Sequence, residues 1–314
     1  MNADFEVELA APAGRYRRTH AFEALNRRLS PKLLRLAREG DGLLAPEPWP
    51  DGLRAEAEAR GVELVSTSAA GGQGQRVFTP WGWTPSAAAA GERAGALTMP
   101  VPFETVRRVN SKLWSHALEV ELGLALPGAA LARTFEELEA ALARACPGPS
   151  DKWVVKSPFG FAARERVLGR GPRMEEPQAK WSRRRLLAGE TLIVQPWLEV
   201  VREYGVVLEI SERGDVEIQG VSDLQTNGAG TGTGYVLGRP PAPRRREELE
   251  RVARVVGRRL YAEGYTGPAG VDALEHAGGL HPLLEINARY TMGFVALAVE
   301  RELRPAEPLF WSTK

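Results

Sequence analysis

The chain has only one cysteine, almost no net charge and no long apolar run. Its 314 residues include one cysteine, Cys146, which excludes an internal disulfide framework and favours a reducing compartment. A net charge of +1 gives no electrostatic basis for binding nucleic acid or an anionic membrane. No apolar run reaches the roughly 18 residues that cross a bilayer. The N-terminal segment is acidic and lacks a signal-peptide layout, so the sequence predicts a cytoplasmic protein without a membrane partner.

Familiar nucleotide-binding and catalytic motifs are missing as well. The sequence contains neither Gly-x-Gly-x-x-Gly nor a P-loop that ends in Gly-Lys-Ser/Thr. Cys146 has no partner motif nearby, which favours a structural or surface thiol over a nucleophile. His276 and His281 flank a glycine pair and could bind a metal, although a turn surface is the commoner role. No Ser/His/Asp or Cys/His arrangement is visible, so covalent catalysis by a side chain is not predicted.

The first hundred residues have the order of a small α/β domain. The predicted elements are a helix over residues 17–38 with a break at Ser30-Pro31, a strand at 43–45, a helix at 53–60 that Gly61 ends, and a strand at 62–65. This strand–helix–strand order is typical of α/β folds. Pro100 and Pro102 mark a plausible end of the domain.

Three glycine-containing segments are predicted to be loops. In residues 71–95, Trp81 and Trp83 could line a substrate pocket or pack in the seam between two domains. The segment 157–171, SPFGFAARERVLGRG, reads as a loop that follows a strand. The alternating glycines of Gly228–Gly234 are too flexible for the core of a strand. They predict either a mobile loop over an active site or a surface linker.

From residue 110 onwards the patterns become regular. The predicted elements are a helix capped by Asn110 or Ser111 and ended by Gly123, a helix opened by a Thr134–Glu137 capping box, a strand at 153–156, a helix at 175–187, a strand at 190–194, a hairpin of 204–210 with 216–221, and a helix at 246–260. Strands and helices therefore alternate through this part of the chain, which predicts a mixed α/β structure.

A hairpin is predicted over residues 271–293, around the glycine pair Gly278-Gly279. With those glycines as the turn, Asp272 lies opposite Glu285, and period-two alternation places Glu285, Asn287 and Arg289 on the face of Asp272. Two carboxylates and an amide oxygen on one face suit Mg²⁺, whereas a solvated outer face is the plainer alternative. Like charges placed so close repel unless a cation lies between them.

The order of these parts resembles the ATP-grasp superfamily. Four stretches between Val106 and Val299 carry the resemblance, and each would be weak alone. They are NSKLWSHALEVELGLALPG with Lys112, WVVKSPFGFAARERV with Lys156, TLIVQPWLEVVREYGVVL, and LLEINARYTMG with the upstream Asp272. Their joint presence in the expected order makes the resemblance fairly specific.

The resemblance implies an α/β (α+β) fold in which two α+β lobes clasp ATP. It divides the chain into an N-terminal α/β pre-ATP-grasp domain at 1–103, a first lobe at 104–196 and a second lobe at 197–314. The first lobe would carry Lys112, Lys156 and a phosphate-covering loop, and the second lobe the metal-binding hairpin. A homodimer is compatible with this organisation.

Nucleotide-binding roles follow from the same resemblance. Lys112 and Lys156 would bracket the phosphates as point charges. Arg164 in the loop after Lys156 could reach the γ-phosphate or the transferred group, although a solvated surface position is the alternative for Arg164 and for Arg166. These assignments require the loop to lie over the phosphates.

The hinge implied by the resemblance is Gln195-Pro196-Trp197-Leu198. The amide oxygen of Gln195 stands where the family often has an acidic residue and can accept from the adenine amine. The backbone of Trp197 or Leu198 would contact the ring edge, between apolar walls from Val154 and Ile193. Glu203 would accept from the ribose hydroxyls, and a surface pair with Arg202 is its alternative.

Metal ligation is assigned by the resemblance to Asp272, Glu285 and Asn287. Glu285 would bridge two Mg²⁺ ions, with Mn²⁺ as an alternative metal. Arg289 completes a Glu-x-Asn-x-Arg pattern and is predicted to be catalytic, because it would neutralise the acceptor carboxylate or the phosphoryl group in transfer. A structural ion pair with a hairpin carboxylate is the alternative for Arg289.

The predicted reaction is the ATP-dependent ligation of a carboxylate to an amine through an acylphosphate, with release of ADP and phosphate. Small-molecule or peptide carboxylates and amines are the predicted substrates, bound by residues 1–100 together with the Trp81–Trp83 and Gly228–Gly234 loops. The alternatives are a phosphotransferase that acts on a hydroxyl and a nucleotide-binding protein that has lost its activity. The near-zero net charge argues against a nucleic-acid binder.

Overall fold

A computed structural model describes residues 1–12, 14–67, 76–160, 165–228 and 230–313. Its N-terminal part contains α1 (Phe5–Ala10), α2 (His20–Leu29), a 3₁₀ helix (Ser30–Arg35), β1 (Gly42–Ala45), α3 (Asp51–Ala59), β2 (Glu63–Ser66), α4 (Pro85–Arg93) and α5 (Phe103–Val109). Strands β1 and β2 pair in parallel, as the strand–helix–strand order predicts. Pro31 lies at the start of the 3₁₀ helix, where the predicted break falls.

Part of the segment predicted to be a loop at 71–95 is helical. Thr84 caps α4 by accepting a hydrogen bond from the Ala87 N–H, and Pro85 occupies the first helical turn. Val77 forms a parallel bridge with Leu97. The loop prediction was therefore wrong for residues 85–93, because the capping signal Thr84-Pro85 outweighs the surrounding glycines.

The next elements build a four-stranded sheet in the order β3-β6-β4-β5. They are α6 (Lys112–Glu121), β3 (Ala130–Ala132), α7 (Phe135–Ala145), β4 (Lys152–Lys156), β5 (Arg166–Arg170), α8 (Glu176–Leu187) and β6 (Leu192–Pro196). Ser111 caps α6, and Thr134 caps α7 by accepting from the Glu137 N–H. Part of the predicted 157–171 loop is strand β5, which pairs antiparallel with β4. Cys146 is buried in the core of this sheet and donates to the Lys152 carbonyl.

Trp153 and Gly169 show how tightly this sheet is packed. They are cross-strand partners, and the fully buried indole of Trp153 lies over Gly169 while its Nε1 donates to the Gly171 carbonyl. A Cβ added at Gly169 would lie 2.1 Å from the indole ring. The position therefore requires a glycine for steric reasons, even though its φ is ordinary.

Gly169→Ala is expected to destabilise the protein by about 1–3 kcal/mol, because the added methyl group overpacks a rigid core. Gly52→Ala is the matched control, since Gly52 lies in α3 with open space around its Cα. Urea unfolding of both variants would measure the difference. A Gly169→Ala variant as stable as Gly52→Ala would contradict the packing argument.

The C-terminal elements build a six-stranded antiparallel sheet in the order β11-β10-β7-β8-β9-β12. They are β7 (Val200–Ile210), β8 (Val216–Thr226), β9 (Gly232–Leu237), α9 (Pro243–Ala262), β10 (Gly267–His276), β11 (Gly279–Asn287), α10 (Met292–Leu303) and β12 (Leu309–Ser312). One face packs on α9 around Tyr204, Val206 and Leu208, and alternate residues project from the other face. Residues of the predicted site come from that second face.

The glycine-rich segment at 228–234 was predicted not to enter a strand, and this prediction was wrong for its C-terminal half. Gly232–Gly234 begin β9, and Gly234 pairs with both Gln225 and Ser312. A Cβ at Gly234 would lie 2.3 Å from the Trp311 carbonyl oxygen. A glycine is therefore needed at position 234 because the backbone of β12 packs closely against β9 there.

The three sheets fall within the three predicted ranges 1–103, 104–196 and 197–314, whose boundaries remain a prediction. Trp81 lies in a core cluster with Tyr235 and Val295, and Trp83 packs against the main core. Both tryptophans therefore contribute packing. In the part of the chain that the structure describes, no helix is both long enough and apolar enough to cross a membrane.

Candidate active site

The β10–β11 hairpin has the predicted pairing of Asp272 with Glu285, but a different turn. His276 pairs with Gly279, so the two-residue turn is Ala277-Gly278 and not Gly278-Gly279. An irregularity between Asp272 and Leu274 shifts the register by two and restores the expected partner of Asp272. The bulge thus brings the two carboxylates together despite the displaced turn.

Polar side chains collect on the face of the hairpin that turns away from the core. Asn287 Nδ2 donates to Asp272 Oδ2 at 3.0 Å, and Arg289 donates to Asn287 Oδ1 at 3.0 Å. Val271, Ile286 and Ala288 point to the opposite face and are buried in the main core. The predicted shared face of Asp272, Glu285, Asn287 and Arg289 is therefore present.

Helix α6 brings Lys112 onto this face. Its ammonium donates to Glu285 Oε1 at 2.6 Å and to the Gly160 carbonyl at 3.0 Å. Ser115, one turn further along, accepts from the Ile286 N–H and ties the helix to β11. Lys112 thus joins the hairpin to the segment after β4.

The two hairpin carboxylates differ in their electrostatic surroundings. Burial, the neighbouring Glu285 charge and Glu203 raise the pKa of Asp272 to about 7, against opposing effects of Arg289 and Asn287. Burial also acts to raise the pKa of Glu285, but Lys112, Lys156 and Arg289 together hold it below its usual value. Asp272 therefore has less neighbouring positive charge than Glu285 has.

This donor set fits a divalent cation. Asp272 and Glu285 offer hard carboxylate oxygens, and a cation between them would offset the repulsion that raises the Asp272 pKa. Asn287 could add its amide oxygen only after the bond from Arg289 is released. Among the described residues, histidine, cysteine and carboxylate side chains form no cluster of three or more. The candidate metal site therefore consists of two carboxylates and one amide.

Lys156 lies at the end of β4, on the face of the four-stranded sheet opposite its core. Trp153, Val155, Leu192 and Val194 fill the core, so alternation places Lys156 with Gln195, Val154 and Ile193 on the other face. Lys156 Nζ donates to Gln195 Oε1 at 2.7 Å. Burial, opposed chiefly by Glu285, lowers the pKa of Lys156 to about 8. Val154 and Ile193 are buried and apolar, as predicted for the walls of an adenine site.

The predicted hinge lies at the end of β6. Gln195 and Pro196 are still in the strand, and the Trp197 N–H donates to the Lys152 carbonyl at 2.8 Å. That N–H is therefore not available to a nucleotide, which corrects one of the two backbone contacts predicted there. Leu198 and the Trp197 carbonyl remain the predicted contacts.

Glu203 faces the site from β7. It accepts from the Thr226 hydroxyl at 2.7 Å, and burial raises its pKa against this bond and the Arg166 charge. The alternative of a surface pair between Glu203 and Arg202 is wrong, because Arg202 pairs with Asp223. Arg166 lies over the Trp197 ring with its guanidinium carbon 5.3 Å from the centroid.

Arg289 is held by an acid that the sequence did not reveal. Its guanidinium donates twice to Glu6 of α1, with the Nε bond at 2.9 Å, and also to the Tyr290 carbonyl. The alternative of a pair with a hairpin carboxylate is therefore replaced by a pair with the N-terminal helix. Nothing in the pattern around Glu6 signals this contact, which spans most of the chain.

Three other predicted positions have different outcomes. Arg164 lies outside the described residues. His281 is buried and partnered by Leu274 in the ladder, so the turn-surface role predicted for it was wrong. Burial, with the Lys156 charge, lowers the pKa of His281 to about 4. His276 lies at the turn and accepts from the Gly278 N–H.

A second polar chain that sequence reasoning missed runs behind Lys156. Glu119 of α6 is 1% exposed, with Oε2 3.4 Å from Gln195 Nε2 and 3.6 Å from His116 Nδ1. Burial raises the pKa of Glu119, opposed by His116 and Lys156. A signal did exist, because Lys112 and Glu119 are seven residues apart and therefore lie on one helix face.

A cavity of about 980 Å³ adjoins the cluster. It touches Glu6, which binds Arg289, and Gly160, which binds Lys112, and its apolar walls include Trp114 and Phe159. Trp81, Trp83 and the described residues of the 228–234 segment, which were predicted as substrate-pocket walls, are not among the described residues that line it. Gly228 and Trp197 line a smaller cavity of about 370 Å³ beside β5.

Solved structures share this arrangement of sheets. The N5-carboxyaminoimidazole synthetase of Staphylococcus aureus in complex with ADP has a TM-score of 0.52 at 10% identity, over 81% of this chain and 72% of that one. The N5-carboxyaminoimidazole ribonucleotide synthetase of Thermus thermophilus has a TM-score of 0.51 at 19% identity, over 86% and 70%. The D-cycloserine synthetase DcsG has a TM-score of 0.51 at 18% identity, over 77% and 89%. The chain has the ATP-grasp fold.

No protein-family model and no curated protein sequence matches the chain. The likeness is therefore one of fold at low sequence identity, and the ATP-grasp fold hosts more than one reaction. Function has to be argued from the side chains that the fold brings together.

Proposed function

We propose that this ATP-grasp protein is an ADP-forming ligase that joins a carboxylate to an amine. A carboxylate oxygen attacks the γ-phosphorus of ATP, the bond to the β-phosphate oxygen breaks, and an acylphosphate and ADP result. The amine nitrogen then attacks the acyl carbon, phosphate leaves with the acyl–oxygen bonding pair, and the amine loses a proton. The product is an amide.

The observation that carries this proposal is the convergence of positively and negatively charged side chains from helix α6, the four-stranded sheet and the β10–β11 hairpin. Lys112 contacts Glu285, and the charges of Lys156 and Arg289 act on the same carboxylate. On the same face Asp272 contacts Asn287. A cleft of this composition suits a polyanion that arrives with a divalent cation, which is the chemistry of Mg·ATP. A surface ion-pair network would not need a half-buried lysine whose pKa burial lowers, such as Lys156.

Each residue then has a role in positioning and charge neutralisation. Lys112 and Lys156 would hold the phosphates, and Arg289 would stabilise the acceptor carboxylate or the phosphoryl group in transfer after release from Glu6. Asp272, Glu285 and Asn287 would hold Mg²⁺, which when bound supplies positive charge to the phosphate oxygens. Glu203 and the Leu198 backbone would bind the nucleoside. Arg164 belongs to the same proposal as a γ-phosphate contact.

The acceptor substrates are assigned to the 980 Å³ cavity. A molecule bound there would lie next to Glu6 and Gly160, which contact Arg289 and Lys112 respectively. Aromatic walls at Trp114 and Phe159 favour a substrate with an apolar part. The cavity is large enough for a carboxylate and an amine together.

The test is ADP release against pools of carboxylates and amines, with mass spectrometry for a new amide. ADP and amide should form only when both pools are present together with Mg²⁺ and ATP. A phosphoester formed from an alcohol alone would overturn the ligase in favour of a phosphotransferase. Failure of ATP to raise the Tm would overturn nucleotide binding itself.

A further inference from the structure

The side-chain amide of Gln195 is held at one end by the half-buried ammonium of Lys156 and at the other by the buried carboxylate of Glu119. Its oxygen accepts from Lys156 at 2.7 Å, and its nitrogen lies 3.4 Å from the Glu119 carboxylate. Gln195 is 3% exposed and Glu119 1%. An ammonium can only donate and an ionised carboxylate can only accept, so both neighbours select one orientation of the amide.

We propose that Glu119 is a positioning residue that fixes the amide of Gln195 with its oxygen towards the nucleotide and so selects a 6-aminopurine over a 6-oxopurine. The proposal rests on the proposed nucleotide site. It concerns base selection, which the ligase chemistry leaves open. Glu119 does not touch the nucleotide in this proposal and acts only through Gln195.

Selection follows from the hydrogen-bonding edges of the two bases. Adenine presents an amino group at position 6, which needs an acceptor, whereas hypoxanthine presents a carbonyl, which needs a donor. An amide offers either group, depending on how it is turned. The Gln195 carboxamide can therefore distinguish adenine from hypoxanthine only if a neighbouring group fixes its orientation.

Glu119 is the group that can hold this orientation throughout binding. Lys156 also favours it, but Lys156 is the proposed phosphate ligand, and its ammonium will turn towards the phosphates when ATP is bound. The Glu119 carboxylate is enclosed between His116 and Gln195 on the rigid helix α6. Its contact with the Gln195 nitrogen does not compete with phosphate binding.

The experiment compares the Kd values of ATP and inosine triphosphate, measured by calorimetry with Mg²⁺. The wild-type protein should prefer ATP, and Glu119→Gln should reduce that preference about tenfold, since roughly one hydrogen bond to the base is no longer specified. A merely structural role of Glu119 would weaken both nucleotides alike. An unchanged ratio of the two Kd values in Glu119→Gln would therefore overturn the proposal.

A second pair of variants keeps the test decisive if Glu119→Gln folds poorly. Gln195→Met removes the amide that contacts position 6 and should reduce the preference, whereas Glu119→Gln combined with Gln195→Glu should restore it, because a carboxylate accepts at both oxygens. A preference in Gln195→Met as large as that of the wild-type protein would overturn the inference. Wild-type protein that binds neither nucleotide would instead overturn the proposed function.

Discussion

Glu285→Gln is expected to lower ADP release by on the order of a thousandfold while the protein remains folded. The substitution keeps the shape of the side chain and removes its charge. Glu285 is the acceptor of the Lys112 ammonium at 2.6 Å and the proposed bridging ligand of the metal, so both partners lose their counter-charge at once. The measurement is the steady-state rate of ADP release at a Mg·ATP concentration that saturates the wild-type protein.

Stability must be followed in the same variant, because Lys112 is left without its acid. The side chains of Lys112 and Glu285 are 15% and 29% exposed, so water can still solvate both groups in part. Thermal unfolding without nucleotide should therefore show a modest loss, and the increase of Tm by Mg·ATP should disappear. A large loss of Tm without nucleotide would assign the activity change to folding.

Glu217→Gln is the matched control, because it makes the same chemical change on an exposed position of β8. It should leave the rate of ADP release unchanged. Equal rates in Glu285→Gln and in the wild-type protein would contradict the assignment of the metal and phosphate site to this hairpin.

The hairpin shows which parts of the site a sequence can predict. Period-two alternation correctly predicted that Asp272, Glu285, Asn287 and Arg289 share a face, since the pleat enforces it wherever the other face is buried. The turn was misplaced because the glycine of the pair that takes a positive φ, Gly279, begins β11 and does not lie in the turn. The bulge after Asp272 is a tertiary adjustment that local spacing does not encode.

Contacts between distant elements explain what sequence reasoning missed. Glu6 meets Arg289 across the whole fold, and Glu119 meets Gln195 between helix and sheet. Local periodicity is blind to such pairs, because it describes one element at a time. The same limit applies to Gly234, whose glycine is required by the backbone of β12 and not by a turn.

Nucleotide affinity is expected to fall above about pH 8, and this decrease should depend on Lys156. Burial lowers the pKa of Lys156 to about 8, so the free protein loses the ammonium as the pH rises through that value. Binding to phosphates then requires the uptake of a proton. The ATP affinity should decrease by up to about tenfold per pH unit until the pKa of Lys156 in the complex is reached.

The stability of the free protein should change in the opposite direction. The folded pKa of Lys156 lies below the unfolded value of 10.5, so charging Lys156 disfavours the fold. Its destabilising effect is therefore complete below about pH 8 and is relieved as the pH rises towards 10.5. Weaker ATP binding in this range consequently cannot be attributed to unfolding caused by Lys156.

Lys156→Arg separates the charge of this residue from other effects of pH. A guanidinium stays protonated throughout, so the affinity of this variant should be flat between about pH 8 and about pH 9.5 even if its absolute value is lower. The terminal phosphate of ATP, with a pKa of about 6, is already fully ionised in this pH range. The pKa of Asp272, raised to about 7, lies below the range. Calorimetry over the same pH series measures both proteins, and parallel decreases in the two would show that Lys156 is not the titrating phosphate ligand.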